Sequence, residues 1–452
     1  MNPFRHFLYA LILAATIQQV CLAASPNVWG AFLGIDHSPI DPSSIPIAWS
    51  PTKNIAWSMP LKGYGQSSPV IFGNRVFVTT IEGPNKEKNI VSCFDLNTGE
   101  FQWHKSFVSS DPVKNSTFVS RAAPTPVVDK HCVYCFFESG DIIALTHAGE
   151  TKWQISLSQK YGKFENEYGL GSSPIMTQGT LFVLIDDPGP SYLIALDCKT
   201  GTIVWKTDRM SRGSWTSPML LRIGDETQIL CSSAGTIDAY SHKDGSLLWT
   251  YEGVGGNRIC SPFVFADGSF LVGSQTSREF KDEDSVKQSN FAMKVHKKGD
   301  TWSPEILWRN EKMTPGMASP VAFGGYAYWL GRTGAVLCFD VSTGEEKYAE
   351  RIQQSCWATP LAIGDRLYLF GKDGLTTVIS VGPKFNVLAE NQLWDEEAIT
   401  TDQSIIDRET EPRRKAAAAM HAGPEVMGVA CVSGSLVIRT GDRLFCVRLT
   451  NK

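Results

Sequence analysis

The sequence predicts an all-β fold, an eight-bladed propeller of four-stranded antiparallel blades, and two repeated signals carry that expectation. The first is a turn motif, most complete at Cys93 to Trp103 as C-F-D-L-N-T-G-E-F-Q-W. It returns in copies ending at Trp153, Trp205, Trp249 and Tyr348, with a stretched copy ending at Trp308. Each copy reads as the end of one strand, a tight turn and the start of the next. A small residue (Cys93, Ala144, Ala195, Ala239, Cys338) sits where strands run close, and Gly99, Gly149, Gly201, Gly245 or Gly344 supplies the positive φ of the turn. The aromatic that follows is a large apolar body at a fixed place, suited to fill the seam between units. The second signal is a Ser/Thr-Pro step before a β-rich run, at Ser68-Pro69, Thr125-Pro126, Ser173-Pro174, Ser217-Pro218, Ser261-Pro262, Ser319-Pro320 and Thr359-Pro360. Proline cannot donate to a ladder, so these steps mark strand starts. Self-similarity at roughly 40 to 60 residues points to a propeller or solenoid.

Both ends of the chain belong to one blade. Trp49 to Leu61 contains an aromatic-bearing strand with no strand of its own repeat before it. The run from Ser435, S-L-V-I-R-T-G-D-R-L-F-C-V-R-L, has the inner strands, with Cys446 in the small-residue place. Joining the halves closes the ring and removes exposed edges. The Ser/Thr-Pro steps plus this split blade make eight; because the last step is degenerate near Gly428 to Cys431, seven blades is the alternative.

Along the chain, residues 1–24 have a basic start (Arg5, His6), an apolar stretch from Phe7 to Ile17 and small residues at Ala23 and Ala24, the pattern of a cleavable secretory signal. A lipoprotein site at Cys21 is disfavoured because Gln18-Gln19-Val20 lacks the small and leucine residues it needs. Residues 25–48 form a lead segment and 49–452 a single propeller domain, with surface insertions near 274–292 and 395–427. In the first insertion Asp282, Glu283 and Asp284 are expected in a solvated loop, since a calcium loop's ligand spacing and turn glycine are missing. In the second, Lys415 to His421 has the composition of a short helix, either a surface excursion or a partner-docking element. A third departure, Phe107 to Ser120, contains the acceptor pattern Asn115-Ser116-Thr117.

A net charge of -4 gives no basic footprint for nucleic acid. No later stretch reaches the roughly 18 apolar residues a membrane-spanning helix needs. Cysteines 93, 338 and 446 stand where other repeats have alanine, so they read as small buried residues. Cys132 and Cys135, three apart on a strand, point to opposite faces and cannot share a metal. His147, His242 and His296 fall at corresponding turns of different repeats and are expected as solvated turn residues spread around the rim.

Taken together the turn and proline motifs resemble the pyrroloquinoline-quinone-repeat (PQQ-like) β-propellers, whose tryptophan-docking motif has the form A-x-D-x-x-T-G-x-x-x-W. The resemblance covers about Trp49 to Leu449 and looks most like a secreted, bacterial, propeller-only branch, through N-S-T-F-V-S-R-A-A-P-T-P from Asn115, G-L-G-S-S-P from Gly169 and V-G-P-K-F-N-V-L-A-E-N-Q-L from Val381. Outer-membrane assembly propellers are more distant relatives. The quinone would be a cofactor by family resemblance alone. Quinone-dependent dehydrogenases of this fold have an adjacent Cys-Cys pair, and no two cysteines are adjacent here. No cofactor or metal is therefore expected. The expected function is an exported, monomeric, non-catalytic scaffold that binds envelope proteins in the periplasm or outside the cell. The alternative is a small-ligand or redox-cofactor protein using the central channel, with a degenerate quinone site.

Residues three before each proline lead into the innermost strands and should ring one mouth of the channel. Most are small or ordinary, whereas Trp215 and Trp357 put two large aromatics there, with Arg121 and Arg209 in neighbouring loops as anion contacts. Aromatics and arginine are the types that most often carry binding energy. The alternative is that both tryptophans plug the channel.

Overall fold

A computed structural model describes residues 27–450 except 36, 277–281, 313 and 396–402. The signal-like stretch 1–24 lies outside the described residues. Eight antiparallel sheets form the ring, seven of four strands and one of five. The eighth blade is the split one: Ile55–Pro60 is its outermost strand, followed inward by Arg443–Val447, Ser435–Thr440 and Val426–Val432. Ile55 pairs with Val447 and Pro60 with Arg443, so the two ends of the chain close the ring.

Strand alternation explains the packing. In Arg75–Glu82, Val76 and Val78 belong to one apolar cluster while Phe77 and Ile81 belong to another. Cys132, Tyr134 and Phe136 likewise face one seam and Val133, Cys135 and Phe137 the other. A period of two thus feeds two inter-blade cores at once, which is why the middle strands read as nearly continuous apolar runs. The ten described cysteines are all free and buried in these cores. Burial pushes the Cys93, Cys231 and Cys260 thiols up to about 12, so they behave as inert packing residues.

The repeat aromatic closes each seam. Trp103 lies across from Cys93 in its own blade and over Gly149 of the next, where a Cβ would stand 2.8 Å from the ring. Its indole N–H donates to the His147 carbonyl at 3.0 Å. Trp153 repeats this on Gly201 and the Cys198 carbonyl (2.9 Å), Trp308 on Gly344 and the Val341 carbonyl (2.8 Å), and Trp57 on Gly99 and the Leu96 carbonyl (3.0 Å). Trp249 departs from the rule. The fifth blade has no matching turn for it, and its N–H donates instead to Gln228 of its own blade at 2.8 Å.

Prolines do start the innermost strands, and the preceding hydroxyl residue has a second task. The backbone N–H of Ser68 donates to Thr125 Oγ1 (2.9 Å), Thr125 to Ser173 Oγ (2.9 Å), Ser173 to Ser217 Oγ (2.9 Å) and Ser217 to Ser261 Oγ (2.8 Å). The series continues from Ser261 to Ser319 (3.0 Å) and from Ser319 to Thr359 (3.2 Å). A belt of hydroxyl-to-backbone bonds therefore runs from blade to blade around the channel. It is interrupted at the eighth blade, where Gly428 stands against Ser68. Ser217→Ala is expected to lower stability by about 1–3 kcal/mol, because the Ser173 N–H is left buried without an acceptor. A denaturant melt unchanged from the parent would show the belt to be incidental.

Several features differ from the sequence expectation. Asp282, expected in a solvated loop, caps a helix at Glu283–Gln288: its carboxylate accepts from the Ser285 N–H, and Glu283 and Asp284 fill the first turn. Acidic residues are favoured at that end of a helix dipole. Asn115 is buried, with its amide donating to the Gly83 carbonyl at 3.3 Å, so the glycosylation acceptor is enclosed. His147 and His242 are half-buried rather than solvated. His147 Nε2 lies 2.8 Å from the Asp129 carbonyl and its ring packs on Phe72 and Phe77, while His242 Nδ1 meets the Thr227 carbonyl at 2.7 Å. Only His296 is exposed, paired with Glu305 at 3.0 Å.

Candidate functional site at the channel mouth

The two ends of the channel are built differently. Every connection from an outermost strand to the next innermost strand crosses one face, and this face carries the long insertions. On the opposite face the lead segment enters the channel as a strap. Val28–Trp29 adds to the inner edge of Val70–Phe72, with Val28 opposite Phe72 and Trp29 opposite Ile71. The strap continues across the second blade, where Val128 N–H donates to the Gly30 carbonyl at 2.8 Å. It then crosses to the eighth, where Asp41 N–H donates to Ser433 Oγ at 3.0 Å.

At the insertion-bearing mouth, the connection between the seventh and eighth blades forms helices Gln403–Asp407 and Pro412–Ala419. The helix expected in this region is present, begun by Pro412 at its first position. It reaches over to the loop between the first and second blades. Ser116 Oγ donates to Glu409 at 3.0 Å, Arg414 pairs with Glu409 at 2.8 Å, and the Arg414 guanidinium lies 4.7 Å from the Phe118 ring centre. Arg414 and the Ser116 hydrogen bond hold the Glu409 carboxyl below its usual range, burial opposing them.

Each residue singled out in the sequence has a distinct place. Trp215 is half-buried in the connection between the third and fourth blades; its indole donates to the Gly169 carbonyl at 2.7 Å and it meets Tyr168 edge-on at 6.0 Å. Trp357 is half-buried between the sixth and seventh blades, its ring 5.2 Å from His421 and 5.5 Å from the Lys372 ammonium. Glu425 ties these together, accepting from Lys372 at 3.3 Å and lying 2.9 Å from His421 Nδ1. Arg121 is buried with its guanidinium stacked 3.6 Å from the Tyr64 ring centre. Arg209, expected as an anion contact, is enclosed in the wall and pairs with Asp186 at 3.0 Å and Asp238 at 3.2 Å. Burial alone would lower its pKa, but Asp186 and its neighbours outweigh that and the net direction is upward, so its charge is spent internally.

Trp357 also forms the rim of a cavity of about 480 Å³ that runs from this mouth down to the strap. Trp215 stands outside that cavity, so the two tryptophans share a mouth but not a wall. The strap, whose Trp29, Phe32 and Leu33 line the cavity, was not legible beforehand because 25–48 has no periodicity to read.

A closed ring of this kind, with a strap across one mouth and the other dressed in loops and aromatics, is a propeller scaffold. A family profile described as outer membrane protein assembly factor BamB matches residues 46–167, 163–278 and 299–441, and the chain belongs to this family of PQQ-like propellers. No curated protein sequence matches it. Among solved structures it is similar to BamB from Moraxella catarrhalis, at 13% identity and a TM-score of 0.56 over 87% of this chain and 99% of that one. It is also similar to the computationally designed Ika8 protein, at 10% identity and a TM-score of 0.55, again over 87% and 99%. At such identities these likenesses establish the fold alone.

The quinone that gives the repeat its name is a polycarboxylate, and the channel cavity does not suit it. Among the described residues no Arg, Lys, Asp or Glu lines the cavity, so none of them would balance its charge. Among the described residues no three His, Cys, Asp or Glu side chains are grouped to hold a metal ion. No helix among them is long and apolar enough to cross a membrane.

Proposed function

We propose that this chain is an exported, non-catalytic propeller that serves as a docking platform for envelope proteins, without a bound cofactor. The observation that carries this reading is the asymmetry of the ring. The strap crosses one mouth, while the other presents Tyr168, Trp215 and Trp357 on loops braced by a rigid scaffold, beside an exposed Met420 at 67%. Partly exposed aromatics held without conformational freedom lose little entropy on binding and dominate interface energetics. Membership of a family described as an outer membrane assembly factor supports the envelope setting and the kind of partner.

The test is an affinity pull-down from the native envelope with the parent and with Trp215→Ala and Trp357→Ala combined. Loss of partner recovery with a retained fold is expected. Unchanged recovery together with a large drop in melting temperature would assign both residues to plugging the channel.

A further inference from the structure

We infer that the channel cavity is a binding site for a neutral, apolar small molecule that offers one hydrogen-bond acceptor. Its volume of about 480 Å³ lies within the range of small-molecule sites, roughly 300–1,000 Å³. Phe32, Leu33 and Ile40 of the strap face Phe263, Met317 and Trp357 of the ring around it. Trp29, Phe32 and Leu33 of the strap wall one side of the cavity, and Met317 and Trp357 stand at its insertion-bearing end.

The chemistry of the walls selects the occupant. The described lining residues include no Asp, Glu, Lys or Arg, so among them a charged ligand would lose its hydration and gain no counter-charge. Among the described lining residues His37 alone is ionisable; it belongs to the strap, with Nδ1 2.7 Å from the Ser38 carbonyl and its ring stacked on Trp29 at 5.4 Å. The Ser319 and Thr359 hydroxyls already accept belt N–H groups. Trp29 differs from these. It is 3% exposed, lines the cavity, and its indole N–H is buried without a hydrogen-bond partner. Its benzo end lies on Gly34, where a Cβ would stand 2.5 Å away, which leaves the pyrrole end with the donor turned away from that contact. The indole of Trp29 lines the cavity while its N–H lies beneath the surface, and an occupant that shifts the ring enough to reach this donor satisfies it with a carbonyl or ether oxygen.

Nile red, a neutral polycyclic dye with a carbonyl acceptor, is the probe. Titrated into the full-length protein, it is expected to give a saturable, blue-shifted fluorescence rise at one dye per chain. Met317→Lys places a charge at the rim of the cavity on a side chain that is 36% exposed, and should weaken binding by about tenfold or more through the desolvation of that charge. Met210→Lys, 69% exposed and away from the cavity, should leave it unchanged. Trp29→Phe keeps an aromatic ring but removes the donor, and should weaken Nile red severalfold with the melting temperature retained. This variant decides the matter if the Met317 variant fails to fold. Non-saturable fluorescence, equal affinity in parent and Trp29→Phe, or displacement of the dye by pyrroloquinoline quinone at comparable concentration would each overturn the proposal. Because Trp215 lies outside the cavity, Trp215→Ala should lose partner recovery while retaining Nile red, so this site and the docking surface fail independently.

Discussion

A chain lacking residues 49–59 is expected to aggregate, or to melt far below the full-length protein. That segment supplies most of Ile55–Pro60, the outer strand of the closing blade, and its loss exposes the edge of Arg443–Val447 to other chains. It also removes two buried tryptophans from different seams. Trp57 lies on Gly99 and donates to the Leu96 carbonyl at 3.0 Å, joining the eighth blade to the first. Trp49 stacks on Tyr368 at 6.2 Å and its backbone N–H donates to Asn391 at 2.8 Å, joining the segment to the seventh. Each such truncation costs roughly 3–5 kcal/mol, against a total stability of roughly 5–15 kcal/mol for a native protein. Arg439 remains as an inner clasp: wholly buried, it donates to the Ser67 carbonyl at 2.9 Å and the Thr79 carbonyl at 2.6 Å of the first blade. Thermal melting and gel filtration check the expectation, and an unchanged melting temperature would contradict closure through the ends.

The features legible in the sequence are those written once per blade. The turn glycine, the small residue across from the aromatic and the proline at each inner strand are local rules, so repetition exposed them and their count led to eight blades. What escaped depends on contacts between distant parts of the chain. The belt needs each hydroxyl to meet the next blade's neighbour, as Thr125 does with Ser68 across 57 residues. Ser116 and Glu409, which join two insertions over the mouth, are 293 residues apart. Repeat register could assign Trp215 and Trp357 to one mouth, but not say which of them walls a cavity. For Arg209 the deciding facts were Asp186, just past the strand Thr180–Ile185, and Asp238 within Gly235–Ser241, both of which pair with its guanidinium. The floor of the cavity was invisible because the strap carries no repeat at all.

Trp205→Ala is expected to destabilise the ring by about 3 kcal/mol, the low end of the range for large aromatics, because Trp205 is half-buried. Trp205 stands across from Ala195 in the third blade and lies on Gly245 in the fourth, where a Cβ would stand 2.5 Å from the indole. Its N–H donates to the His242 carbonyl at 3.3 Å, and Phe182 packs against it at 5.7 Å. Truncation therefore opens a seam-sized void and leaves a turn carbonyl without its donor. The partner position makes a second, independent reading. Gly245 has φ +73 and no room beneath the ring, so Gly245→Ala combines backbone strain with a clash and should destabilise in the same direction. If the two act through one contact, the double variant will lose less than the sum of the single losses, since the clash disappears when the indole is gone. Denaturant melts of the three variants measure this. Full additivity would mean that Trp205 and Gly245 contribute separately, and a Trp205→Ala curve equal to the parent would remove the aromatic from the seam altogether.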